Sequence, residues 1–122
     1  MWSRTEFDRV APILERALRY DPEWTLEAIA GQLEAGMMQL WPGERSAVVT
    51  EVLVRPKARV LFFFLAAGEM DEIKRLYHLI LAWGRERGCT RASFAGRYGW
   101  ARSFLTKEEG WHTKLALFEK EL

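Results

Sequence analysis

The segment RVLFFFLA, residues 59–66, is apolar at almost every position, so it presents hydrophobic side chains on both faces of an extended strand. Such a strand is stable only at the centre of a sheet that is covered on both sides. This one feature commits the chain to helices packed above and below a sheet. The flanking sequence supplies those helices. Val10, Ile13, Leu14, Ala17 and Leu18 repeat with helical spacing, and Pro12 places the start of the regular helix near Ala11. Tyr20-Asp21-Pro22 ends it. Thr25 is placed to cap a second helix whose stripe is Leu26, Ile29, Ala30 and Leu33, with Gly36 at its C′ position. Gly31 inside that helix costs roughly 1 kcal/mol relative to alanine, which points to close packing there.

Two strands precede the central one. Met37 to Trp41 ends at Pro42-Gly43, and Ser46 to Val54 alternates, with Val48, Thr50, Val52 and Val54 on one side. Arg55-Pro56-Lys57-Ala58 is a turn, so the three strands form an antiparallel meander. A long helix follows from about Asp71 to Arg87, with Ile73, Leu76, Tyr77, Ile80 and Leu81 as its buried stripe. Thr90 to Ala95 is a short strand that a right-handed crossover makes parallel to residues 59–66. GRYGWARSFLTKEEG reads as a turn and short helix, and His112 to Glu119 as a last strand. The expected order is α-α-β-β-β-α-β-α-β, an α+β layered fold in a single domain spanning residues 1–122.

Composition excludes little. Eighteen Lys and Arg balance 17 Asp and Glu, a formal charge of +1, so nothing draws the chain in bulk to nucleic acid. The single cysteine, Cys89, has no internal partner and fits a reduced, packed thiol in the cytoplasm. The N-terminus MWSRTEFDRV is charged and unlike a secretory leader, and no apolar run is long enough to span a membrane. His78 and His112 are too few and too separated for a metal site, and no metal is expected. Six tryptophans are many for this length; Trp83 lies off its helix's main stripe, where it either packs or faces a partner.

Several stretches resemble one family. QLWPGERSAVVTEV (39–52), LAAGEMDEI (65–73), LAWGRERGC (81–89) and GRYGWAR (96–102) are similar to small GNAT-like proteins of tailed bacteriophages and prophages, and the element order resembles the GNAT acyl-CoA N-acyltransferase fold without its first strand. The resemblance implies a coenzyme A pyrophosphate site at the junction after residues 59–66, where Ala67 and Gly68 would take part. The residues there depart from the family's glycine-rich loop. There is one glycine, and Glu69, Asp71 and Glu72 stand where the phosphates would lie. Two like charges at about 5 Å repel by roughly 3 kcal/mol at an effective dielectric of 20. Such carboxylates also stabilise the helix against its own dipole, and Asp71 is placed to act as N-cap. The family's acidic tyrosine is replaced by Thr106 in TKEEGW, which leaves Tyr98 as the candidate acid. Glu51, the one charge on an apolar strand, is the candidate base, or an ion-pair partner of Arg55, Lys57 or Arg59.

GRYGWAR offers a separate anion or partner site through Arg97, Tyr98, Trp100 and Arg102; the alternative is a tight turn with Trp100 in the core. On these residues the expectation is a degenerate GNAT fold that acts as a non-catalytic binding or assembly module without a cofactor. The alternative is an acetyl-CoA-dependent N-acetyltransferase with a non-standard coenzyme site. Expected partners are a second copy, another protein or phage structural proteins, with virion association as the alternative to a cytoplasmic location.

Overall fold

In a computed structural model, residues 2–96 and 98–122 are described. The chain forms α1 (Arg4–Leu18), α2 (Leu26–Glu34), β1 (Met38–Pro42), β2 (Ala47–Arg55), β3 (Ala58–Ala67), α3 (Met70–Glu86), β4 (Arg91–Ser93), a 3-10 turn (Tyr98–Arg102) and α4 (Phe104–Glu108). The strands lie in the order β1-β2-β3-β4, antiparallel except for the parallel β3–β4 pair. The expected meander and crossover are both present. The expected last strand is not: residues 110–122 carry no helix or strand. The alternation of 112–119 is a strand's, but a strand needs a paired neighbour, and among the described residues this segment joins no ladder of the sheet.

Two apolar clusters cover the two faces of the sheet. On one face Phe7, Val10 and Leu14 of α1 and Ile29 and Leu33 of α2 meet Leu40, Val49 and Leu65. On the other, Ile80 of α3 meets Val48 and Leu61. Gly84 of α3 makes this second contact close, since a Cβ there would lie 2.8 Å from Leu61 Cδ2. The apolar run at 59–66 is thus buried from both sides by the helices its composition demanded.

α1 begins at Arg4, well before the expected Ala11, and Pro12 sits inside it. An internal proline costs about 3 kcal/mol. Complete burial of Phe7 returns roughly 1.5–3 kcal/mol. The Ser3 cap on Glu6 N–H adds about 1 kcal/mol. The balance favours the longer helix, because Phe7 extends the stripe of Val10 and Leu14 by one turn.

Thr25 caps α2, accepting from Ala28 N–H, and Gly36 follows with φ 76°, both as expected. Gly31 is not closely packed. It is exposed, and a Cβ there would touch nothing within 4 Å.

Candidate functional site

The β3–β4 ladder is short. It joins Val60 to Arg91, Leu61 to Ala92 and Phe62 to Ser93, and then stops. Beyond Phe62, β3 runs on to Ala67 paired only with β2. The register shifts there: Val49 faces Leu65 while Thr50 faces Phe63, so Phe64 is an extra residue on β3. A bulge increases local twist and bends the strand that carries it. The two parallel strands therefore diverge at the bulge, and Phe64 turns onto Trp24, ring centroids 4.9 Å apart. The divergence opens a cleft of about 1880 Å³ walled by the end of β3, the start of α3, and α4. Its inner rim is aromatic. Trp111 stands 6.2 Å from Phe63 and 5.2 Å from Phe94, and its Nε1 donates to the Tyr77 hydroxyl at 2.9 Å. Burial pushes the Tyr77 phenol up, with the Trp111 hydrogen bond acting the other way.

The acidic junction lies at the mouth of this cleft, and its carboxylates do not act as expected. The N-cap of α3 is Glu69, not Asp71, and it makes no side-chain capping bond. Glu69 instead pairs with Arg45 across the junction at 3.0 Å, and its backbone N–H donates to Ser46 Oγ at 3.0 Å. Glu72 reaches the β1–β2 hairpin. It accepts from Glu44 N–H at 3.0 Å and Arg45 N–H at 2.8 Å. The Ser46 hydroxyl and these N–H groups hold its carboxyl below the usual glutamate range. Asp71 is exposed on the first turn. Two of the three negative charges are thereby committed to the hairpin, and the helix dipole at the amino end of α3 is left without a side-chain cap.

Gly68 is the pivot of this arrangement. Its φ of 121° is open to glycine alone, and a Cβ would stand 2.4 Å from both Arg45 O and Ser46 Cα. The junction is pressed against the hairpin because no side chain intervenes. Ala67 and Gly68 both line the cleft.

The other candidates are placed as follows. Glu51 lies between Met38 and Phe62 in the closed part of the ladder, away from the cleft walls. Burial alone pushes its carboxyl up, and among the described residues it has no ion pair with Arg55, Lys57 or Arg59. Trp100 lines the cleft and packs on Phe94 at 5.9 Å. Arg102 is exposed on the same turn. Arg97 and the Tyr98 side chain lie outside the described residues. Thr106 donates to Ser103 O at 3.3 Å inside α4. Trp83 packs on Trp41, centroids 5.5 Å apart, with the Arg87 guanidinium 4.9 Å from its ring. No group of His, Cys, Asp or Glu among the described residues is arranged to hold a metal ion. Likewise, no helix among them is long and apolar enough to cross a membrane.

Sequence reasoning missed four residues that shape the site: Tyr77 and Trp111 on the rim, and Arg45 and Ser46 under the junction. Tyr77 carried a signal, a phenol in an otherwise aliphatic stripe. Arg45 and Ser46 carried none, since their partners are more than twenty residues away.

The fold as a whole has structural counterparts. The chain matches a probable acetyltransferase with TM-score 0.73 at 10% identity, covering 97% of this chain and 92% of that one. It matches aminoglycoside N-acetyltransferase AAC(6')-Iy in complex with CoA with TM-score 0.71 at 10% identity, over 98% and 91%. It also matches a transcriptional regulator from Bacillus halodurans C-125 with TM-score 0.70 at 10% identity, over 99% and 96%. No family model and no curated protein matches the sequence. The fold is that of the GNAT acetyltransferases, a mixed α+β layer with a four-stranded sheet. At such identities the likeness fixes the fold alone, and fold does not fix chemistry.

Proposed function

We propose that the cleft binds an acyl-coenzyme A and that the protein is an acyl-CoA-dependent N-acyltransferase. The observation that carries this reading is the uncapped amino end of α3 opening onto the gap where β3 and β4 part. An anion gains there from the helix dipole and from unsatisfied N–H groups. Glu69 and Glu72 do not fill that role, being drawn to Arg45 and the hairpin. The residues thus fit the coenzyme. The N–H groups at the start of α3 would hold its pyrophosphate, and the unpaired edge of β3 beyond Phe62 would carry the pantetheine arm. The coenzyme would supply an activated acyl group. Tyr77, on the cleft rim and positioned by the Trp111 hydrogen bond, is the cleft phenol best placed as proton donor. The match to an N-acetyltransferase in complex with CoA supports the same reading.

Met70 gives a clean test. It is the first residue of α3, where proline is tolerated, and Glu69 before it is already extended at φ −78°, ψ 131°. Met70→Pro removes one N–H from the anion site and leaves the helix intact. Titration calorimetry with acetyl-CoA is expected to give saturable binding that weakens about tenfold in Met70→Pro, the loss of one hydrogen bond to a charged group. No binding at millimolar acetyl-CoA would refute the proposal.

A second reading is a non-catalytic binding or assembly module. Thr106 in place of an acidic tyrosine favours it, as does a Glu51 remote from the cleft. The phage-type resemblance of residues 39–52 and 96–102 supports a phage structural protein as its partner. Acetyl-CoA binding without transfer to any amine would favour this module.

A further inference from the structure

The formal charge of +1 conceals how unevenly the charges are laid out. At the end of the sheet away from the cleft, the end of β2, the start of β3, the start of β4 and the carboxyl end of α3 come together. Val54 pairs with Arg59, and Arg55 with Ala58, across the β2–β3 hairpin. Val60 pairs with Arg91, and Thr90 N–H donates to Arg59 O at 3.0 Å. Gly88, just past α3, faces the Arg59 side chain, since a Cβ there would stand 3.8 Å from Arg59 Cδ. Arg55, Lys57, Arg59, Arg85, Arg87 and Arg91 are thereby gathered at one end, and all are exposed.

Within residues 54–59 and 85–91 the one acid is Glu86. Among the described residues none of these cations is in an ion pair; the pairs that form use Arg4, Arg9, Arg45 and Lys74. Glu51, the next acid along β2, is half-buried between Met38 and Phe62 and pairs with none of them. Arg85 and Arg87 have a local use, because cations at the carboxyl end of a helix offset its dipole. Arg55, Lys57, Arg59 and Arg91 sit at strand ends, where a sheet has almost no dipole to offset. Like charges held together there repel one another, and nothing in the fold repays that cost.

We propose that this end binds the phosphate backbone of duplex DNA without regard to sequence. All of the cations but Lys57 are arginines, whose planar fork matches phosphate oxygens. A protein partner would need an apolar centre, and Val54 is the one large apolar side chain exposed in these segments. A single strand would need open aromatic faces to stack its bases. Trp83, the nearest ring, is already taken up by Trp41 and by the Arg87 guanidinium, 4.9 Å from it. A duplex keeps its bases inside and presents about one charge per 1.7 Å of its axis. Contacts to phosphate alone give position and affinity but no sequence preference. The surface lies away from the cleft and does not depend on the coenzyme reading.

Fluorescence anisotropy of a short labelled DNA duplex of random sequence, titrated with the full chain, tests this. In about 50 mM salt saturable binding is expected, and log K should fall against log salt with a slope of roughly −4 to −5, for four to six phosphates engaged. Arg55→Gln with Lys57→Gln and Arg59→Gln is expected to weaken binding about tenfold or more and to flatten the slope by about 3. All three side chains are exposed, so its melting temperature is expected to hold, which separates lost contacts from a lost fold. Arg91→Gln alone, on another strand, is expected to flatten the slope by about 1. Lys114→Gln with Lys120→Gln, in the tail, is expected to change nothing. No binding in low salt overturns the proposal, as does wild-type binding by both the triple variant and Arg91→Gln. An equal loss in the tail variant overturns it too, because the attraction would then belong to the whole chain. Tighter binding of single-stranded DNA, poly-glutamate or anionic vesicles would give the surface to a different partner and likewise overturn it.

Discussion

Two glycines show how differently one residue type can act. At Gly68 the φ of 121° and the backbone of Arg45 and Ser46 at 2.4 Å leave no room for a methyl group. Gly68→Ala is expected to cost about 2–5 kcal/mol, strain and overpacking together. A urea melt with unchanged slope and a lower midpoint would check it. Gly31 has open space around it inside α2 and ordinary helical geometry. Gly31→Ala is expected to stabilise by about 0.5–1 kcal/mol, since alanine lowers the entropy of the unfolded chain and nothing opposes it. The same melt would detect the opposite shift. The sequence marks both positions as glycine and separates them only by context. The first ends a strand at a helix start, where a special turn is common; the second sits mid-helix, where packing is the usual explanation and is here the wrong one.

At the level of elements, the β1–β2 hairpin and the start of α3 behave as one unit, tied by Glu72 to two backbone N–H groups. Glu72 has a lowered pKa in the folded state. Its contribution to stability is therefore complete above the ordinary glutamate value of 4.5 and fades as pH falls through the lower folded value. Glu72→Gln is expected to flatten that part of the acid stability curve while changing the helix content little. Protection of the Glu44 and Arg45 amides, taken relative to their intrinsic exchange rates, should fall in the variant at neutral pH and in the native protein in acid. An unchanged acid limb would show that other carboxylates govern it. Most elements were legible because hydrophobic period is local: β2, β3, α2 and α3 all fall near their expected limits. What was not legible depends on distant partners. The start of α1 turns on where Phe7 can be buried, and the Glu72 bridge spans twenty-seven residues. The acidic junction was read from sequence proximity, which placed three charges on the phosphate site. Their side chains are short-range in sequence and long-range in contact. The last strand failed for the same reason, since alternation records a tendency and pairing needs an edge.

For the whole molecule, the near-neutral charge of +1 means that a coenzyme carrying several negative charges gets no long-range help. On the proposed reading, affinity would come from the α3 terminus and from the aromatic rim of the cleft. That division predicts a weak salt dependence of binding and a strong dependence on the acyl-pantetheine arm. A ligand that binds only the folded state at 100 times its dissociation constant adds about 2.7 kcal/mol. For a domain of this size that raises the melting temperature by roughly 10 °C. Acetyl-CoA in such excess is expected to give this shift, nearly unchanged between low and moderate salt. ADP, which keeps the diphosphate and lacks the arm, is expected to give much less. The result depends on the gap at the Phe64 bulge being usable space. If Trp111 and Phe63 instead seal the gap, the arm cannot enter, and ADP and acetyl-CoA will shift the melt equally or not at all. Equal shifts would keep the anion site and remove the acyltransferase, because a thioester held outside the cleft meets neither Tyr77 nor the strand edge.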